Sequence, residues 1–368
     1  MKDQIVIRNY VYHDDAILNV GENGTKTAWD ANFKVKFPYA SGDNIKHCMK
    51  EKLKELLNIT MPPSVYIKDA KDSDSKVKQG EVYMELALDN PMTICAGGWS
   101  PKTIEFKFGK YYKAAIKAAI EVSRATPLHP LLVSTTQDCG VRRGNVEDCV
   151  GYKSGDKSEK FYFDIDEMVK NKVTSKERAE ELMKAKTPSN FFLQNTSARG
   201  IYCYDYVINL SMLKYCDITD VEIPTEEIER LGALGYGFET INGRNVCVVP
   251  TEIAINTFEN VVKAIFTWEY SSNNSTHMGH SDFLRSAFAL NNPSYVPMSM
   301  QGEVEPDGKT ASIYVMSDED ATKCGIETTT SRSLRKFVAA YGVNFDIFAK
   351  ENAIRKITEM GVNVLKNY

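Results

Sequence analysis

The sequence predicts an α+β fold, a ferredoxin-like (RRM-like) βαββαβ core interrupted by a long central insertion with helical segments. Three observations predict it. The chain opens on an alternating strand at residues 4–12, and two amphipathic helices begin near Ser41 and Thr251. Strand-like segments rich in β-branched and aromatic residues return only after residue 199. With the intervening stretch set aside, the order strand, helix, strands, helix, strand is that of a split βαβ arrangement.

In residues 4–12 (QIVIRNYVY), Ile5, Ile7, Asn9 and Val11 fall on one face, and Val6, Arg8, Tyr10 and Tyr12 on the other. A polar loop, LNVGENGTKT (18–27), follows. The clearest helix starts after PYASG, with Ser41 as its N-cap. Ile45, Cys48, Met49, Leu53, Leu56 and Leu57 form its apolar stripe, and Lys46, Lys50 and Lys54 run beside it. Within 58–200 the sequence offers a strand at 81–88, a helix across 110–124, a glycine-dotted polar stretch at 139–160 and a charged helix at 175–185. Regular patterning resumes with RGIYCYDYVINLSML (199–213), where Tyr202, Tyr204, Tyr206, Ile208 and Leu210 share a face. INGRNVCVVP (241–250) pairs an N-G turn with an apolar strand. The second helix carries Ala254, Phe258, Val261, Val262, Ile265 and Phe266 on one stripe, then gives way to SSNNSTHMGH (271–280) and a strand in SAFALNNPSYVPMSM. Two helical patterns, 331–341 and 345–366, close the chain. The expected divisions are therefore 1–60 and 201–300 for the two halves of the core, 61–200 for the insertion and 301–368 for a C-terminal helical extension.

Composition narrows the function classes. Hydrophobic residues make up 43% and charged residues 26%, ordinary for a globular protein, and no apolar run is long enough to span a bilayer. The start, MKDQIVIRNYVYH, lacks the pattern of a secretory signal, so a cytoplasmic location is expected. Eight widely spaced cysteines form no C-x-x-C pair, and the five histidines lack H-E-x-x-H spacing, so no metal or other cofactor is expected. A net charge of −4 argues against a protein that coats nucleic acid with its whole surface. Locally the balance reverses: between Ser100 and Arg124, Lys102, Lys107, Lys110, Lys113, Lys117 and Arg124 face only Glu105 and Glu121. On a helix, that strip also reads as an ordinary solvated face.

The candidate binding residues follow from the same elements. A helix N-terminus presents unpaired N–H groups and the positive end of its dipole, which suits a phosphate. Ser41 and Gly42 would let a polynucleotide backbone approach, with Lys46, His47 and Lys50 adding donors within two turns; a plain capped surface helix is the alternative. In the 271–280 segment, Ser272, Asn273, Asn274, Ser275 and His277 offer donors to phosphate or ribose. Arg142, Arg143 and Arg199 are candidates for contact with a nucleic-acid backbone or a neighbouring subunit. Catalytic patterns are scarce, with no G-x-S-x-G elbow, Walker loop or G-x-G-x-x-G after a strand. Asp30 is the one carboxylate placed where a metal or general base could reach a bound backbone, and a turn-forming aspartate is the competing reading.

Taken in order, LNVGENG, PYASGDNIKHCMKEKL, SARGIYCYDYVINLSML and the helix ending at Tyr270 with its SSNNSTHMGH loop resemble the RAMP-type backbone subunits of CRISPR effector complexes. Within that group the likeness is to the Cas seven subunits of type I systems, in their DevR-like branch. The resemblance implies a ferredoxin-like palm, a thumb from about 139–199, and a role in antiviral defence as a non-enzymatic RNA-binding component of a Cascade-like complex. Its implied partners are the guide RNA (crRNA), complementary target nucleic acid, further copies of itself in a head-to-tail helical filament, and other effector subunits, with no membrane. Residues Ser41, Gly42, Lys46, His47 and Lys50 would hold guide phosphates, as would the 271–280 loop. Two alternatives stand beside it: a type III-like subunit that also cleaves target RNA through Asp30, and an oligomeric structural protein without nucleic acid.

Overall fold

The computed structural model describes residues 3–16, 18, 20–21, 24–68, 80–107, 109–141, 152–153, 161–162, 165–171, 175–177, 180, 192–270, 280–291 and 297–368. It divides into two compact units, Met1–Thr136 with Ser197–Tyr368, and Gln137–Thr196. The fold class is α+β, with a large central sheet in the first unit.

That sheet is built around β1 (Gln4–Ala16), which pairs antiparallel with β7 (Phe192–Asn209) on one side and β11 (His280–Leu290) on the other. The far edge of β7 is taken by β6 (Ile120–Val122), again antiparallel. Helix α1 (Gly42–Leu57) lies between β1 and β6 in the chain, and α3 (Thr251–Thr267) between β7 and β11. The core is thus β1-α1-β6-β7-α3-β11, with spatial order β11-β1-β7-β6. On the outer side of β11 the sheet continues through β14 (Glu327–Ser331) and β15 (Phe345–Asp346).

The six core elements follow one another as strand, helix, strand, strand, helix, strand, with different strands from those the sequence pattern suggested. The segment 110–124, expected as a helix, contains β5 (Ala114–Ile116) and β6 instead. Pairing with β4 (Gly98–Ser100) and with β7 supplies backbone partners that override the helical preference of its alanines. The strand expected at 241–250 does form, as β10 (Arg244–Val248), but outside the main sheet. It sits between β8 (Tyr215–Asp217) and β9 (Gly237–Ile241). Its N-G turn is real: Asn242 and Gly243 have φ of 51° and 76°, the two left-handed residues a type I′ hairpin requires. Residues 199–213 divide between β7 and a short helical turn, Leu210–Lys214.

Alternation along β1 and β7 gives the sheet two buried faces. Ile5 and Ile7 with Tyr202, Tyr204, Tyr206 and Ile208 face the helices. There they meet Ile45, Met49 and Leu53 of α1 and Phe258, Val261 and Val262 of α3, the stripes read from the sequence. On the opposite face, Tyr10, Ile201, Cys203 and Leu284 pack against Met300 and Leu334. Residues beyond 300, expected as a helical extension, divide between this second face, the sheet edge and, through the last helix, the core on the helix side, where Ala353, Ile357 and Leu365 lie. They form a hairpin of β12 (Met300–Val304) and β13 (Ala311–Val315), then β14, a single 3-10 turn at Arg332–Lys336, β15 and α4 (Ala349–Leu365). Arg285 locks this arrangement. Its guanidinium is fully buried and donates to Ser299 Oγ, Thr330 Oγ1, the Met316 carbonyl and Asp318. The Tyr10 hydroxyl accepts from the backbone N–H groups of Ser299 and Met300.

The expected insertion, 61–200, contributes β6 to the central sheet, so only part of it stands apart. Within Gln137–Thr196 the described elements include a paired ribbon, Tyr152–Lys153 with Phe161–Tyr162, the helix Ile165–Lys170 and the ends of the strands Val133–Val141 and Phe192–Asn209.

Candidate nucleic-acid interface

Helix α1 begins as the sequence requires. Ser41 is extended (φ −70°, ψ 150°), and its hydroxyl accepts from the Asn44 N–H at 3.3 Å. Gly42 is needed here, although the backbone it admits belongs to the protein itself. A Cβ at this position would lie 2.6 Å from the Val122 carbonyl oxygen at the end of β6. Ala40, fully buried, forms an isolated bridge with Ala125, whose N–H donates to the Ala40 carbonyl at 2.9 Å. The small residues of PYASG thus seat the helix start on β6.

The remaining candidates line the accessible side. His47 and Asp43 are exposed, while Ser41, Gly42, Lys46 and Lys50 are half-buried. The Lys46 ammonium reaches the Ala96 carbonyl at 3.4 Å, at the end of the short helix α2 (Pro91–Ala96). Burial, followed by repulsion from Lys50, pulls its pKa below the usual lysine value. The first turn carries one opposing charge, Asp43.

Strand directions place this helix start at the same end of the sheet as several other features. Val122, against which Gly42 packs, is the register partner of Tyr206, and the Trp268 indole N–H donates to the Tyr206 hydroxyl at 2.9 Å. The C-terminus of α3 therefore ends beside the N-terminus of α1. At that same end, Tyr270 and Ser281 flank the 271–279 segment and are tied together through β1 and β7. His13 Nδ1 lies 2.7 Å from Ser281 Oγ, His13 Nε2 lies 2.5 Å from Tyr204 OH, and Tyr204 OH lies 3.0 Å from Tyr270 OH. His13 is buried, and desolvation drives its pKa down to about 3. It is a neutral hydrogen-bonding element at physiological pH, and its pattern in the sequence gave no sign of this.

Ser272, Asn273, Asn274, Ser275 and His277 lie outside the described residues, as do Arg142 and Arg143. Arg199 is exposed, with its Nε 3.0 Å from Asp14 Oδ1 and 3.1 Å from Tyr12 OH. Asp30 ends β2 (Thr27–Asp30), which pairs with β3 (Val35–Pro38). Its Oδ1 accepts from the N–H groups of Asn32 and Phe33, both at 2.9 Å, so the carboxylate closes the turn between the two strands. Among the described residues, no group of three His, Cys, Asp or Glu is placed to hold a metal ion.

The basic strip at 102–124 is confirmed as surface, on strands and loops rather than on a helix. Lys102, Lys107, Lys110, Lys113, Lys117 and Arg124 are all exposed. The sheet face opposite the helices is not available in the same way. RRM sheets stack bases on that face, whereas here Tyr10, Ile201 and Cys203 are covered by Met300 and Leu334.

No family model matches the chain, and no curated protein matches it. Two solved chains align along almost its whole length. One, described as "CRISPR RNA-guided surveillance complex", is 9% identical, with 97% of this chain and 99% of that chain covered and a TM-score of 0.43. The other, "CRISPR RNA-guided surveillance complex, pre-nicking", is 8% identical over the same shares, with a TM-score of 0.45. Similarity at that level assigns no family. Among the described residues, no helix is long and apolar enough to cross a membrane.

Proposed function

We propose that this chain is a backbone subunit of a CRISPR RNA-guided, Cascade-like surveillance complex that grips the phosphates of a guide RNA and repeats along it head to tail. The observation that carries the reading is the meeting, at one end of the sheet, of the α1 N-terminus, the side chains of Lys46, His47 and Lys50, and Tyr270 and Ser281 on either side of 271–280. Such a site contacts the sugar–phosphate chain and leaves sequence reading to base pairing. The burial of the opposite sheet face supports the same assignment, because it removes the RRM mode of base stacking. Head-to-tail repetition is a heterologous contact that does not close, which lets the number of copies follow the length of the RNA. Residues 137–196, a compact unit of their own, take the role of the thumb.

The reading gives the chain no catalytic step. Asp30 serves its turn, with one oxygen already accepting two backbone donors. Assembled complex supplied with complementary RNA and magnesium is expected to leave the RNA whole. Regularly spaced cuts that disappear in Asp30→Asn, which keeps the turn acceptor and removes the charge, would instead establish the cleaving alternative. The binding claim itself is tested with purified full-length chain and a guide-length RNA. Binding that weakens steeply with salt is expected, whereas oligomers free of nucleic acid and indifferent to RNA would favour a purely structural role.

A further inference from the structure

A largely exposed tryptophan lies on the strand that pairs with part of the basic strip. Trp99 is 58% exposed, although burying an indole is among the larger hydrophobic gains open to a chain. It lies on β4, directly opposite Ala115 of β5. Residues opposite one another in an antiparallel pair share a face, so Trp99 projects on the side of Ala115. Lys113 and Lys117 stand two residues either side of Ala115, just beyond the ends of this three-residue strand, and both are exposed. Ala114 and Ile116 point the other way and are buried at 4% and 7% exposure. The ribbon thus has an anchored inner face and an exposed indole on the other, with an exposed lysine just beyond each end of β5.

The surroundings add further cations and, in the cleft beyond Lys117, two aspartates. Lys102 follows the ribbon and is exposed. Ala96, three residues before Trp99, holds the Lys46 ammonium of α1. Past Lys117 the surface dips into a cleft of about 260 Å³ lined by Ala115, Lys117, Asp217, Thr219, Asp220 and Arg244, with Arg244 Nη1 3.2 Å from Asp217 Oδ2. Strong positive charge beside an open aromatic face is the chemistry that holds single-stranded nucleic acid: cations track the phosphates while the ring takes a base on its π-face.

We infer that Trp99 is a base-stacking platform for single-stranded RNA, with Lys113 and Lys117 holding the phosphates on either side of the stacked nucleotide. The inference rests on the RNA-binding reading above and adds to it a contact that senses bases. The ribbon carries the strand onward from the Lys46 side of α1.

The test compares two probes on the full-length chain, a labelled oligouridylate and an abasic ribose-phosphate oligomer of equal length. The wild type is expected to prefer the oligouridylate. Trp99→Ala is expected to lose about tenfold or more of that affinity while binding the abasic chain nearly as before, and Trp99→Phe to restore most of the loss. Lys113→Gln with Lys117→Gln is expected to weaken both probes alike and flatten the salt dependence. Tyr341→Ala, at another highly exposed aromatic, controls for nonspecific loss of ring surface. Equal loss on both probes in Trp99→Ala, or no loss on either, overturns the stacking assignment while leaving the RNA reading intact. Unchanged RNA affinity with lost self-association in sedimentation would make Trp99 a protein contact. A wild type that binds neither probe removes the RNA reading itself.

Discussion

The α1 N-terminus and the β4–β5 ribbon are both basic surfaces, but they spend their side chains differently. At α1 the residues that look made for a ligand are partly committed to the fold. Gly42 packs on the Val122 carbonyl, the Ser41 hydroxyl caps the helix, and Lys46 leans on the Ala96 carbonyl. On the ribbon the inner side chains do the packing, the outer face keeps an indole in water, and an exposed lysine stands just beyond each end of β5. The difference teaches that a helix start can be well formed and still offer few uncommitted donors. A polyanion's affinity then comes from the surface that continues it.

The largest expected effect lies on the committed side. His13 has a folded pKa of about 3 against an ordinary 6.5, so the unfolded chain takes up the proton first as pH falls below 6.5. The stability tied to neutral His13 is complete above pH 6.5 and drains away toward pH 3, by roughly 1.4 kcal/mol per pH unit. Denaturant titrations at a few pH values should show this slope in the wild type and a shallower one in His13→Gln. Equal slopes would mean that the Ser281–His13–Tyr204–Tyr270 chain does not stay sealed. Next comes Gly42→Ala, expected to destabilise by about 1–3 kcal/mol because the new Cβ meets backbone, which cannot swing aside. An unchanged or raised melting temperature would show that α1 sits loosely on β6. The smallest effect separates two neighbouring lysines: Lys50→Gln should cost more RNA affinity than Lys46→Gln, since Lys46 is already shared with Ala96. The reverse order would move the phosphate track across α1.

Much of this architecture was legible wherever pattern and environment agree. The stripes of α1 and α3 fall on the core as read, Ser41 is the cap, and the alternation of β1 and β7 marks both faces of the sheet. The segment YYKAAIKAAIEV was misleading because alanine with lysine every three or four residues is also a good helix. Only pairing with β4 and β7, contacts distant in sequence, decides against it. That one reversal hid both the true second core strand and the ribbon face. On a helix Lys113 and Lys117 are a solvated turn, whereas here they bracket the short strand that pairs with Trp99's strand. Cysteine burial was readable, with Cys48, Cys95, Cys203, Cys216 and Cys247 buried, although Cys324 is exposed. His13 carried no local signal, since its partners come from three other segments of the chain. Gly42 was singled out correctly as a point of close approach, but the sequence could not say that the approaching backbone would be Val122 and Ser123.

The account stands on one physical claim, that α1 and the ribbon beside it hold a nucleic-acid chain by its charge. The direct measurement is the dissociation constant of a single-stranded RNA from full-length protein across a range of salt concentrations, repeated with Lys50, Lys113 and Lys117 changed to Gln together. A linear log–log dependence is expected, losing about 0.7 of slope for each lysine that contacts a phosphate. Binding that ignores salt, or a slope that survives the triple change intact, would contradict it.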